Sequence, residues 1–396
     1  MARNRFNRGV FLLEALNSLG TSFYFNYLFF FLKNEFAFTN RENLLVGALA
    51  GFIYVPCALL GGKIGQNHGY LTALKLGLSI MTIALVTGFF MTTVPGLITM
   101  MCVWTVGMCF TWPNLEALAC DKQPADRLPA AIGVYNVVWS GASAVAYFSG
   151  GALAERLGWR SIFWLPAIIH ALQIVLAFGL RSNWQTILNT PLNRTVEDEH
   201  HPEGPLFLKL AWVANPFAYI AINGTIPLIP DLANRFHLSP AFAGFFCTLW
   251  FFVRALTFVA LALWSGWHYR FRYLIASFAG MLAAVASMLL LNNLFLVIVA
   301  QIVFGWCIGL IYYSSLYYSM HVGETKGEHG GFHEAAIGLG IFGGPAVGAA
   351  SLFIAPNYRQ SSAIGMVIVI GAGLLILLIL RRKSKPYRAM AQAAAS

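Results

Sequence analysis

Few ionisable side chains interrupt the long apolar runs of this sequence, and those few define the chemistry open to it. Arg254 is the sharpest. It stands fourteen residues into the run 240–264 and ten from its end, with Trp250 and Thr257 on the same helical face. A guanidinium does not lose its proton in a protein, so it needs a carboxylate partner or an anionic ligand. Two readings stand for Arg254, substrate binding or coupling and a structural ion pair, and its partner is Glu14, Glu116 or neither.

Glu14, Asn17, Thr21 and Tyr24 follow at spacings of three, four and three, one stripe of a helix. That stripe either faces a polar cavity or makes helix–helix hydrogen bonds, with Glu14 reaching to the nearer interface. Glu116 has Trp112 one turn before it. A carboxyl beside an aromatic and shielded from water can take up and release a proton, while the bland reading pairs it with Lys122 or Arg127. Further candidate substrate contacts are Asn136 and Trp139 on one face of a run, Tyr219 and Asn223, Gln301, and the adjacent Tyr312 and Tyr313. His170 and Gln173 read as an internally satisfied pair. His321, His329, His333 and Glu334 cluster between two runs, but the glycines around them and their spacing favour a flexible loop or gate over a metal site, with a proton path through His333 or Glu334 as a lesser reading. No metal or cofactor is expected.

The elements that carry these residues follow from composition. Of the 396 residues 58% are hydrophobic and 10% are charged. Soluble domains carry about 25% charged residues, so a soluble enzyme is excluded. A helix crosses the hydrocarbon with about 20 apolar residues, and twelve runs of that kind occur. The first six are 9–32, 43–61, 70–92, 95–118, 129–153 and 160–181; the last six are 206–230, 240–264, 272–291, 294–319, 332–354 and 361–380. The polar stretch 182–205 separates them. The expected fold is an all-α membrane protein: bundles of six helices over 1–181 and 206–396, joined by a linker. A charge inside a membrane costs about 2.5–3.5 kcal/mol on insertion scales, which makes Glu14, Glu116 and Arg254 functional candidates by default.

The net charge of +10 does not point to nucleic acid. With the N-terminus inside, eighteen Lys and Arg fall on the cytoplasmic side and six on the other, with Arg254 in between. This bias orients the chain with both termini cytoplasmic and places the basic residues against anionic lipid headgroups. The expected location is the inner (cytoplasmic) membrane.

The halves repeat. Ala130-Ala131-Ile132-Gly133 opens the fifth run and Ala335-Ala336-Ile337-Gly338 the eleventh; the Gly61–Tyr70 connection has its counterpart at Trp264–Tyr273. Duplicated halves are a transporter signature. Over essentially its whole length the chain resembles the major facilitator superfamily. The stretch Gly62-Lys63-Ile64-Gly65-Gln66-Asn67-His68-Gly69-Tyr70 is similar to that family's motif between spans two and three, with Gln66 in place of the acidic residue and Asn67 in place of the basic one. Gly150-Gly151 followed by Gly158-Trp159-Arg160 and Phe163 is similar to a second family pattern. Gly340-x-x-x-Gly344-Pro345-x-x-Gly348 resembles the family's antiporter motif, displaced to span eleven, where small residues also serve close helix packing.

The resemblance implies a secondary transporter in which two bundles rock about a central site. It assigns gating roles to Gly62, Gln66, Gly69, Gly344 and Pro345, with at most a neutral hydrogen-bonded latch at Gln66. The expected function is movement of a small organic solute, an organic anion with proton coupling through Glu14 and Glu116, by a monomer in contact with membrane lipids. Efflux of amphipathic drug-like or lipid-like compounds is the competing reading. A transporter-like sensor or interaction protein is the alternative of another class. No catalytic constellation is present, so an enzyme is not expected.

Overall fold

The computed structural model describes residues 2–120, 123, 127–180, 201–246, 248–322 and 326–384, and these are helical, with no strand among them. The helices are α1 (Ala2–Phe36), α2 (Asn40–His68), α3 (Tyr70–Phe90), α4 (Val94–Cys109), α5 (Trp112–Cys120), α6 (Leu128–Leu157), α7 (Ser161–Gly179) and α8 (Gly204–Thr225). They continue with α9 (Ile229–Arg235), α10 (Pro240–Phe246), α11 (Leu249–Leu263), α12 (Phe271–Leu290), α13 (Leu294–Val322), α14 (Lys326–Ile354) and α15 (Ser361–Lys383). Among the described residues eleven segments are long and apolar enough to cross a membrane, and α1, of 35 residues, precedes them. Each of the twelve expected runs has its helix. Most of the linker (182–200), Lys122, Cys247 and the tail from 385 lie outside the described residues, as do the side chains of His321 and His329.

Local sequence sets the ends and breaks. α2 opens on a capping box: Glu42 N–H donates to Thr39 Oγ1 at 3.3 Å, and Thr39 N–H donates to Glu42 Oε2 at 2.7 Å. The fourth span divides into α4 and α5 just before Pro113, which has no N–H to continue the ladder. Asn114 Nδ2 donates to Phe110 O at 2.9 Å and to Gly61 O at 3.2 Å, so it serves a carbonyl at the break and ties α5 to α2. The seventh span passes through a short 3-10 turn, Ile226–Leu228, between α8 and α9, where Pro227 and Pro230 interrupt it. Gly69 joins α2 to α3 at φ +92°, a conformation that favours glycine.

The outer surface has the polarity of a lipid-facing protein. Phe90, Val175, Leu263, Phe295, Phe353 and Ile354 are each more than two-thirds exposed, an arrangement that water would penalise at about 25 cal/mol per Å². Polar side chains are instead buried between the helices.

Two pairs of spans join the first six to the last six. α2 runs along α14, and α6 runs along α10 and α11. A Cβ at Gly51 would overlap the backbone of Phe342, and one at Gly151 would overlap that of Pro240, so glycine permits both approaches. On the side where α1 ends, Ala241 N–H donates to Glu155 Oε1 at 3.0 Å. There Asp231 also faces Lys33 of α1 at 3.9 Å and Arg359 at 3.2 Å.

Candidate functional site

The two halves meet around a cavity of about 120 Å³. The first half contributes Tyr54 from α2, Trp112 and Glu116 from α5, and Tyr135, Trp139, Ser143 and Tyr147 from α6. The second contributes Tyr219 and Asn223 from α8, Arg254 from α11, Tyr312 from α13 and Glu334 from α14. At about 10–15 Å³ per water by the same measure, the space holds roughly ten waters. That is the scale of an organic molecule of about a dozen non-hydrogen atoms.

Arg254 is 4% exposed, and among the described residues no carboxylate lies within 4 Å of it. Its Nε has no hydrogen-bond partner. Aromatic faces surround the guanidinium: Trp139 at 4.5 Å, Phe251 at 4.9 Å and Trp250 at 5.4 Å. Trp139 comes from the first half and the other two from the second, so the cation is held at the seam. Such contacts are worth about 0.5–2 kcal/mol and orient the guanidinium without neutralising it. The alternative reading, a structural ion pair of Arg254 with Glu14 or Glu116, is not formed among the described residues.

Glu116 is 4% exposed on the cavity wall, its Oε1 without a hydrogen-bond partner, and no cation pairs with it among the described residues. Glu334 stands on the same wall, where Tyr54 Oη donates to its Oε2 at 2.6 Å, a hydrogen bond between the halves. Glu14 lies behind this wall, fully buried. Ser18 donates to its Oε1 at 2.7 Å, and Tyr135 and Trp112 are its neighbours.

The candidates divide by place. Trp112, Glu116, Trp139, Tyr219, Asn223, Arg254 and Tyr312 are brought together on the cavity. Others stand behind it. Asn17 is fully buried with both amide atoms unpaired, and Asn136 Oδ1 accepts a 3.0 Å bond from Trp139 Nε1, which fixes the indole. Trp250 stacks on Phe251 under Arg254. Tyr24 packs away from the cavity on Trp104 and Phe163, and Gln301 Nε2 donates to Phe246 O. Tyr313 packs on Phe258 and Trp267. His170 and Gln173 form the expected pair at 2.8 Å, and Gln173 donates onward to Leu13 O.

Of the motif residues, Gly62 lies beside Pro113 and Gln66 is exposed. Gly344 lets α14 touch the backbone of α8 at Ile220 and Gly224, while Pro345 sits against Gly47 of α2. The span-eleven motif thus serves close packing in this structure. Tyr54, Tyr135 and Tyr147 were not among the sequence candidates, and Glu334 was grouped with a loop. The pattern that finds Tyr54 is its place on the face of α2 that carries Gly47 and Gly51, since residues at i, i+4 and i+7 share a helical face.

The geometry defines a multi-pass membrane protein with two helical bundles and a polar, aromatic cavity between them. The family model of the Major Facilitator Superfamily matches residues 10–217 and 211–394, and the chain belongs to that superfamily of transporters. An uncharacterised MFS-type transporter of Mycobacterium tuberculosis is 28% identical over 124 residues, covering 31% of this chain and 21% of that protein. A major facilitator multidrug transporter of Aspergillus fumigatus is 29% identical over 150 residues, covering 37% and 28%. The matches thus span between about a fifth and a third of the curated relatives' length. Among solved structures, the human organic anion transporter MFSD10 superposes with TM-score 0.70 at 13% identity, covering 94% of this chain and 99% of that one. The proton:xylose symporter XylE gives TM-score 0.73 at 13% identity, covering 96% of both. A bacterial homologue of the human lysosomal transporter Spinster, inward-facing and unoccupied, gives 0.67 at 15%, covering 96% and 95%. At such identities the likeness shows the fold.

Proposed function

We propose that this transporter moves a small organic solute bearing a carboxylate or another anionic group, by alternating access, with Glu14 and Glu116 carrying coupled protons. Arg254 carries the reading. It is a buried permanent cation on a cavity wall, oriented by aromatic faces, with no carboxylate of the described chain to neutralise it. An anionic ligand supplies the missing charge. Glu116 adds an unpaired carboxyl on the same cavity, the residue type used in intramembrane proton relays. The basic bias of the loops supports an inner-membrane location with both termini cytoplasmic, and the apolar surface supports lipid contact. The bundles are assigned to 1–181 and 206–396, joined by 182–205, and the working unit is a monomer.

Efflux of amphipathic compounds is the second reading. The aromatic lining and the local similarity to a multidrug transporter favour it. A thermal-shift screen of purified protein against organic acids, sugars, nucleosides, amphipathic cations and lysolipids separates the two. Stabilisation by the acids supports the first reading; stabilisation by amphipaths alone supports the second.

Alternating access requires α2 and α14 to part and rejoin. Gly51→Val places atoms where the Phe342 backbone now lies. Overpacking of this kind costs roughly 1–3 kcal/mol, so uptake into proteoliposomes is expected to fall about tenfold, while ligand binding in detergent persists. Unchanged uptake by this variant would show that the tight approach is not used in the cycle.

A further inference from the structure

A carboxylate on Arg254 leaves the carboxyl groups of the cavity wall unmatched. Glu116 and Glu334 present them to the same space as Arg254, neither within 4 Å of it. Both are nine-tenths or more buried, and neither has a cation within 4 Å among the described residues. Tyr54 occupies one oxygen of Glu334, no other hydrogen bond of that side chain is found among the described residues, and Glu116 Oε1 is unpartnered. The Tyr312 ring packs on Trp139, which lies over Arg254, at 5.2 Å and on His333, the residue before Glu334, at 5.3 Å, and Tyr219 is 6.1 Å from Tyr312. The three charged groups come from different helices: Arg254 from α11, Glu334 from α14 and Glu116 from α5. One ligand in the cavity therefore meets a cation and, apart from it, carboxyls, with aromatic faces beside its body.

We propose that the solute is a zwitterion with an aromatic or apolar body, its carboxylate on Arg254 and its ammonium on Glu334, with Tyr219 and Tyr312 flanking the body. This rests on the carboxylate reading of Arg254 and adds the second charged group. An ammonium between a carboxylate and tyrosine faces gains a charge-assisted hydrogen bond and cation–π contact together. A ligand bearing only the acid leaves Glu334 and Glu116 buried without a cation.

The test compares three probes with one ring on the purified full-length protein: L-phenylalanine, 3-phenylpropionate and 2-phenylethylamine, with affinities from calorimetric titration. The amino acid is expected to bind about tenfold tighter than either single-charge analogue, the scale of one hydrogen bond to a charged group. Glu334→Gln is expected to remove most of that advantage while leaving 3-phenylpropionate affinity nearly unchanged; the series on the unaltered protein decides even if this variant does not fold. Should 3-phenylpropionate bind as tightly as phenylalanine, the zwitterion proposal fails and the carboxylate reading stands. Should the amine bind as tightly as phenylalanine, both fail. Binding of none of the three also overturns the zwitterion proposal, and the wider acid screen then judges the carboxylate reading alone.

Discussion

Arg254→Ala is expected to abolish stabilisation by carboxylate-bearing solutes and to weaken their binding by about 30-fold or more. Truncating one partner of a buried, hydrogen-bonded charge pair costs about 2–5 kcal/mol, much of it from leaving the other charge unmatched. Here the solute carboxylate would enter a cavity walled by Glu116 and Glu334 with no cation to meet it. Arg254→Lys keeps the charge but loses the planar group that lies 4.5 Å over Trp139, so it should recover only part of the affinity. Thermal-shift titration of the three proteins with one organic acid reads both effects. The ligand-free melting temperature provides the contrast. A structural ion-pair residue would lower it sharply on truncation, whereas a ligand-binding arginine without a carboxylate partner should leave it unchanged or raised, since a buried unpaired charge is removed.

Glu116→Gln is expected to separate binding from proton coupling. The amide has the shape of the carboxyl but cannot exchange a proton. Nothing in the described structure depends on Glu116 as an anion, because no cation pairs with it. With an imposed pH gradient, accumulation of solute in proteoliposomes should fall to a ratio of about one, as expected when an intramembrane carboxyl relay is cut, while exchange of labelled for unlabelled solute continues. Accumulation surviving in Glu116→Gln and lost in Glu14→Gln would move the proton to Glu14, which lies behind the cavity wall with Ser18 as its hydrogen-bond donor.

The helical class and the twelve runs were legible because apolar run length acts locally. Arg254 was legible for a similar reason: a guanidinium far inside an apolar run is costly wherever the helix points. Which face a polar residue presents was harder to read. Tyr24 shares a stripe with Glu14 and Asn17 in the sequence, yet it packs on Trp104 and Phe163, because a stripe nearly three turns long meets different neighbours along its length. Glu334 was obscured for another reason. It begins an apolar run beside three histidines and several glycines, which reads as a loop, and only the pairing of α14 with α2 brings it to Tyr54 of the other half. A carboxylate partner was one of the two readings of Arg254, and the structure instead surrounds it with aromatic rings drawn from both halves.

The most direct test of the central claim is uptake of a labelled organic acid from the thermal-shift screen into proteoliposomes under an inward proton gradient, with the unaltered protein and Arg254→Ala side by side. Concentrative uptake that depends on the gradient and vanishes in Arg254→Ala is the predicted result. Uptake of the acid that is indifferent to Arg254, or transport of amphipathic cations that survives in Arg254→Ala while acids are ignored, would contradict it.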